Sequence, residues 1–286
     1  MTQPDWFRDS VAQRPEPAAV TVTGATVRAR CWGPAGPGAV LVHGGGAHAR
    51  WWDHIGPLLA ADRRVVALDL SGHGDSDRRA SYSLEEWGDE AVAVAAAGGI
   101  TGDPIIIGHS MGGWTAYAAG ARHPDEVAGV IAIDSPLQVP SPEQFAAETG
   151  RAFGPRRHYP SAEAAMSRFR VVPDDPWIKP YVANYVARAS IAHDDQGWTW
   201  RFDPTVFARH QPAIEMISSV RCRVAMIRAE RGMVDAESGR KLQAILGRPA
   251  PVIALPLAGH HVMLSEPLLL VVALRALLAE WLLAAD

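Results

Sequence analysis

Asp103-Pro-Ile-Ile-Ile-Gly-His-Ser-Met-Gly-Gly113 is the stretch on which the fold turns. Its β-branched run Ile105–Ile107 reads as a buried strand, and Gly113–Gly120 reads as the start of a helix. Between them Gly108-His-Ser-Met-Gly112 forms a Gly-x-Ser-x-Gly turn. Such a turn forces its serine into a strained, exposed backbone conformation. Glycines flank it because side chains would collide where strand and helix approach. The hydroxyl of Ser110 is pushed out at the edge of the sheet, with the N–H of Met111 aimed at the same spot. A nucleophile is presented in this way, and the expected chemistry is cleavage of acyl bonds.

Outward from this turn, apolar runs alternate with helical patterns. Ala19–Val22 and Ala25–Arg30 flank Gly24, a hairpin signal. Ala39–Val42, Arg64–Asp69, Val127–Ile133, Arg223–Ile227 and Val252–Leu255 follow, so with Ile105–Ile107 there are eight candidate strands. From the third onward, stretches of helical spacing such as Leu84–Ala97 and Gly113–Arg122 separate them. Repeated strand–crossover–strand units predict an α/β fold, an eight-stranded and mostly parallel sheet with helices on both faces. Only the first pair is expected to be antiparallel.

The alternation breaks once, between Asp134 and Arg221. That stretch opens with Pro136, Pro140 and Pro142 and carries Trp177, Tyr181, Tyr185, Trp198, Trp200 and Phe202. It is too long for a simple crossover, so it predicts a mainly helical insertion over the carboxyl ends of the strands. The expected organisation is a core of residues 1–135 and 221–286, with a cap insertion of residues 136–220 after the sixth strand.

Composition narrows the function classes. The 286 residues carry a formal net charge of −4, the arginines are dispersed, and Lys179 and Lys241 are the only lysines. No nucleic-acid-binding stripe results. Cys31 and Cys222 lie in separate apparent strands and read as free thiols of a reducing compartment. The polar start Met1–Ser10 lacks an apolar signal core, and the apolar stretch Pro267–Leu283 is interrupted by Arg275 and Glu280. The expectation is a soluble cytoplasmic protein with no membrane or nucleic-acid partner. Nothing in the sequence specifies an oligomeric state.

A nucleophilic serine needs a base, an orienting acid and an oxyanion hole. His260, in Leu257-Ala-Gly-His-His-Val-Met-Leu264, follows the last strand and precedes an apolar helix, so it is the expected base. His43-Gly-Gly-Gly46 follows the third strand, and Gly45 is the expected second oxyanion donor beside Met111. A phosphate loop is the competing reading of these glycines. It fails because there is no Gly-Lys-Ser/Thr and no dinucleotide fingerprint. His43, His73 and His109 lack the ligand spacing of a zinc site, so neither metal nor organic cofactor is expected.

Val42-His-Gly-Gly-Gly46, Asp69-Leu-Ser-Gly-His-Gly-Asp-Ser76, Gly108-His-Ser-Met-Gly112 and Gly259-His260 together resemble the α/β-hydrolase superfamily over nearly the whole chain. In most of its members the acid follows the seventh strand in a Gly-x-x-Asp setting. Here that region reads Ile227-Arg-Ala-Glu-Arg-Gly-Met-Val-Asp235, with Gly232 near the usual place. Some members carry the acid after the sixth strand, and here that strand runs into Asp134. The expected triad is therefore Ser110, Asp134 and His260, with Asp235 and Glu230 as alternative acids. The Asp69–Ser76 motif reads as structural scaffolding.

The resemblance implies a serine esterase or lipase-like enzyme that cleaves small to medium apolar esters through an acyl-enzyme. Trp177, Tyr181 and Trp198 of the insertion are the candidate substrate-binding residues, against the plainer reading that such aromatics pack the cap onto the sheet. Lactone, thioester and diketo carbon–carbon hydrolysis use the same triad and stay open. So does a non-catalytic ligand-binding protein on this fold.

Overall fold

Continuous apolar runs, buried on both faces of the sheet, form the centre of the molecule. The computed structural model describes residues 3–137, 155–207 and 213–283. After helix α1 (Asp5–Ala12) come strands β1 (Glu16–Val22), β2 (Ala25–Trp32) and β3 (Gly38–Val42). Helix α2 (Gly56–Leu59), β4 (Arg64–Asp69), α3 (Leu84–Ala97), β5 (Ile105–His109), α4 (Met111–Arg122) and β6 (Gly129–Ile133) follow. The next segment holds α5 (Ala162–Met166), α6 (Pro180–Ala189), the hairpin β7 (Ile191–Asp194) and β8 (Gly197–Trp200), and α7 (Ala213–Ser218). The chain then completes the sheet with β9 (Arg223–Arg231), α8 (Ser238–Leu246) and β10 (Val252–Gly259), and ends in α9 (Val262–Ser265) and α10 (Pro267–Leu283).

The eight-stranded sheet has the order β1-β2-β4-β3-β5-β6-β9-β10. All pairs from β4 onward are parallel. The antiparallel region is wider than expected, because β2 runs against β4 as well as β1. A single reversed strand placed inside the sheet produces two antiparallel contacts.

Alternation splits the core in two. Leu41, Ile105, Ile107, Ile131 and Ile133 pack on one face with Phe7, Trp52 and Leu274. Val40, Val42, Ile106, Val130 and Ala132 pack on the other with Trp87 and Tyr117. Successive side chains of a strand point to opposite faces, so each strand feeds both cores.

The segment between β6 and β9 differs from the expected mainly helical insertion by the β7–β8 hairpin. It turns at Gly197 (φ 123°), a position that favours glycine, and pairs Ile191 with Trp200. Pro136 is described, whereas Pro140 and Pro142 lie outside the described residues. The segment rests on loops that follow β3, β4 and β10. Gly74 N donates to Arg201 O, Asp203 N to Gly72 O, Lys179 N to Leu264 O, and Phe207 meets Gly45. These are the carboxyl ends of the strands, where α/β sheets bind ligands. Among the described residues no helix is long and apolar enough to cross a membrane. Cys31 and Cys222 are free.

One buried ion pair ties the loop after β4 to its surroundings. Glu90, fully buried on α3, accepts from Arg79 Nη2 at 2.9 Å and from Ser71 N at 2.8 Å, while Arg79 also donates to Val22 O and Thr23 O. Glu90→Leu is expected to lower stability by about 3–5 kcal/mol in urea unfolding, because it leaves the guanidinium buried with only the 4.0 Å contact to Glu86 as a charge partner. Adding Arg79→Met should recover part of that loss.

Candidate active site

The strand-to-helix turn after β5 has the geometry that its glycines imply. Ser110 sits at φ 54°, ψ −118°, a conformation that costs a non-glycine residue about 1–3 kcal/mol. The surroundings enforce it. A Cβ on Gly108 would overlap the Gly112 carbonyl, and one on Gly112 would overlap the backbone of Val42 and His43. Ser110 N donates to Ile133 O at 3.0 Å, which anchors the turn to β6. Met111 opens α4, so its N–H is among the four that a helix leaves without an internal partner. Gly45 lies beside it: a Cβ there would stand 3.6 Å from Met111 Sδ and 2.8 Å from the Phe207 ring. Both expected oxyanion donors thus belong to one neighbourhood.

His260 stands where β10 ends. Its Nδ1 donates to Asp134 Oδ2 at 2.7 Å, and its carbonyl accepts from His109 Nε2 at 2.9 Å. His260 and Asp134 are 4% and 0% exposed, so the contact is shielded from water. Among the described residues no hydrogen bond joins the Ser110 hydroxyl to His260. Such bonds are often long without substrate and tighten in the complex.

Asp134 is held by more than the histidine. It leaves β6 at φ 43°, its N donates to Ile227 O at 2.7 Å, and its carboxylate accepts from Ala229 N (3.0 Å), Met233 N (2.8 Å) and Val234 N (3.4 Å). The end of β9 and the loop after it therefore wrap the carboxylate in backbone N–H groups. Gly232 makes the room, since a Cβ there would overlap Asp134 Oδ2. The alternative acids are occupied elsewhere. Exposed Asp235 accepts from Ser238 N and Oγ at the start of α8, and Glu230 accepts from Leu257 N. Neither meets His260.

Sequence reasoning missed Asp175. Its buried carboxylate accepts from His261 N at 3.1 Å and Trp177 N at 3.2 Å, clamping the His260 loop to the segment above. A Cβ on Gly259 would overlap it, so the glycine before His260 is required by this contact. The Asp69–Ser76 motif acts as scaffolding. Buried Asp69 accepts from Ala49 N at 2.6 Å and Asp75 N at 2.9 Å, linking the loops after β3 and β4.

A cavity of about 520 Å³ opens beside this constellation. Gly45, Gly46 and His261 connect it to the site, and Trp51, Tyr159, Phe169, Trp200 and Phe202 form its apolar wall. Ser110 and His260 are not among its lining residues. The expected binding residues Trp177, Tyr181 and Trp198 are not there either. Trp177 is 42% exposed beneath the Arg231 guanidinium, Tyr181 packs edge-on against Phe7, and Trp198 packs against His193. The lining tryptophan Trp51 follows the glycine loop directly, a proximity readable from sequence. Phe169 carries no such signal. Among the described residues no cluster of three or more His, Cys, Asp or Glu is suited to a metal ion.

Burial keeps five histidines around His260 neutral. Desolvation pushes His43 and His54 down to about 4 and His109 to about 3, and holds His48 and His261 well below the ordinary value of 6.5. The unfolded chain protonates all five below pH 6.5, so their stabilising contribution is complete above 6.5 and is lost as pH falls toward 4. Asp69 runs the other way. Desolvation raises it to about 6, so its burial weakens the fold as pH rises from 4 to 6. Burial also raises Asp53 and Glu90, and the five histidines outnumber these three acids.

A model of the alpha/beta hydrolase family matches residues 39–274. Over 81 residues the chain is 40% identical to the 2-hydroxymuconate semialdehyde hydrolase of Pseudomonas sp. (strain CF600), covering 28% of each chain. Over 89 residues it is 35% identical to the pimeloyl-[acyl-carrier protein] methyl ester esterase of Neisseria meningitidis serogroup C, covering 31% of this chain and 33% of the relative. The chain thus aligns with no more than a third of either curated relative. The solved structure of E-2-(acetamidomethylene)succinate hydrolase superposes with a TM-score of 0.78 at 21% identity, covering 92% of this chain and 98% of that one, a likeness of fold.

Two outcomes are expected from this geometry. Stability measured by urea unfolding should fall as the pH is lowered from 6.5 toward 4. Gly232→Ala should push the Asp134 carboxylate off His260, read as loss of the low-field Nδ1 proton resonance expected of the wild-type protein.

Proposed function

The chain belongs to the alpha/beta hydrolase family, and from that membership we propose that it is a serine hydrolase that cleaves carboxylic esters of small to medium size. The observation that carries this reading is the buried 2.7 Å contact between His260 Nδ1 and Asp134 Oδ2 beside the strained Ser110 turn. With Nδ1 donating to the carboxylate, the imidazole is fixed in the tautomer whose Nε2 lone pair accepts a proton.

In the proposed reaction Ser110 Oγ attacks the ester carbonyl carbon and passes its proton to His260 Nε2. Asp134 stabilises the resulting imidazolium and stays ionised. The carbonyl electron pair moves onto oxygen, where the N–H groups of Met111 and Gly45 receive it. Collapse breaks the ester C–O bond, and the leaving alkoxide takes the proton from His260. Water repeats the sequence on the acyl-enzyme, with His260 as base, and releases the acid and Ser110. No step calls for a metal or an organic cofactor.

On this reading residues 1–135 and 221–286 carry the chemistry and residues 136–220 cap it and select the substrate. A cytoplasmic setting belongs to the same reading and is supported by the two free thiols. Similarity to a methyl ester esterase supports an ester substrate. Similarity to a 2-hydroxymuconate semialdehyde hydrolase favours a second reading, carbon–carbon bond hydrolysis on the same three residues.

A fluorophosphonate probe should label Ser110 stoichiometrically, and p-nitrophenyl acetate should be hydrolysed. Absence of labelling would refute the serine hydrolase reading. Asp134→Asn should lower kcat by about four orders of magnitude, the scale on which loss of an orienting acid acts. Asp235→Asn should leave kcat near wild type. The opposite pattern would reassign the acid.

A further inference from the structure

The cavity beside the site is apolar on its wall and strongly cationic at its rim. Arg156, Arg157, Arg168 and Arg170 all line it, and no aspartate or glutamate does. This concentration of positive charge sits in a chain whose net charge is −4. The four arginines come from two stretches, residues 156–157 before α5 and residues 168–170 after it, and converge on one space.

Their partners differ. Arg156 Nη2 pairs with Asp194 Oδ2 at 2.9 Å, a carboxylate it shares with His158 Nε2 at 3.1 Å. Among the described residues Arg170 Nη1 donates to the carbonyls of Ser167 (3.3 Å) and Phe169 (2.6 Å) and pairs with no carboxylate. The exposed side chains of Arg157 and Arg168 have no hydrogen-bond or ion partner among the described residues. Like charges gathered around one cavity repel one another, and an anion placed between them relieves that repulsion. A guanidinium's planar fork fits the paired oxygens of carboxylate and phosphate.

Resting on the serine hydrolase reading, we propose that this rim is an anion subsite and that the substrate is an acyl compound bearing a carboxylate or phosphate at the end remote from the scissile carbonyl. Arg157 and Arg168 grip the anionic end. The chain between the ends lies along Trp51, Phe169 and Trp200, and the carbonyl reaches the Gly45 side of the cavity. The four rim arginines supply what the apolar wall cannot, a preference for one end of the substrate over the other.

Two measurements test this. The first compares kcat/KM for p-nitrophenyl hydrogen glutarate and the length-matched neutral p-nitrophenyl valerate. Wild type should favour the anionic ester, and Arg157→Gln/Arg168→Gln should reduce the anionic-to-neutral ratio by about 10- to 100-fold, chiefly through KM. Arg240→Gln, at an exposed remote arginine, should leave the ratio unchanged. The second titrates Ser110→Ala protein calorimetrically with glutarate and with coenzyme A, at low and high salt. Salt-sensitive binding of glutarate assigns the subsite to carboxylates, and binding of coenzyme A assigns it to phosphates; either supports the proposal. Binding of neither, or a wild-type ratio at or below one that the double variant does not change, overturns it while leaving ester hydrolysis standing. Binding without hydrolysis of any ester would overturn the hydrolase reading and leave the anion subsite intact.

Discussion

One carboxylate joins the pieces on which the site depends. Asp134 leaves β6, reaches across to accept three backbone N–H groups, one from β9 and two from the loop after it, and meets His260 at the end of β10. Three neighbouring strand ends are thereby held in register through a single side chain. Its full burial would be prohibitive for an isolated charge, and four donors around it offset that penalty. The histidine is oriented by the same contacts that hold the loops together, so the geometry of the candidate site and the local fold are one object.

The parts of the site that are local in sequence were legible in it. Ser110, Met111 and the Gly108/Gly112 pair announce themselves within five residues, and His260 is marked by its place after the last strand. Asp134 was one of three candidates because choosing among them needs distances between strands, which one sequence does not contain. The same limit hid Asp175, whose partner His261 is far away along the chain. Trp177, Tyr181 and Trp198 show a different limit. Aromatic composition marks the segment that covers the site, yet which ring faces the cavity depends on how that segment folds. The reversed β2 and the β7–β8 hairpin were likewise set by pairing partners that no local period reveals.

Burial shapes the chemistry beyond the triad. His43, His48, His54, His109 and His261 surround the site as neutral, hydrogen-bonding spacers. Kept uncharged, they add no positive field that would oppose formation of a cation on His260. Charge is placed farther out, at the arginine rim of the cavity, where water screens it from the reacting atoms. The molecule thus separates a dry centre from a wet, cationic cavity rim beside it.

The space occupied by the Asp134 carboxylate exists because position 232 has no side chain. The two places at which an acid can approach His260 are therefore mutually exclusive: they draw on the same volume. A single substitution toward the other arrangement leaves either two carboxylates in the room of one or no carboxylate at all. Exchange between the two designs requires paired changes, and each half-step is worse than either end. The residue at 232 and the residue at 134 are bound by epistasis, so the fate of a mutation at one is written in the identity of the other.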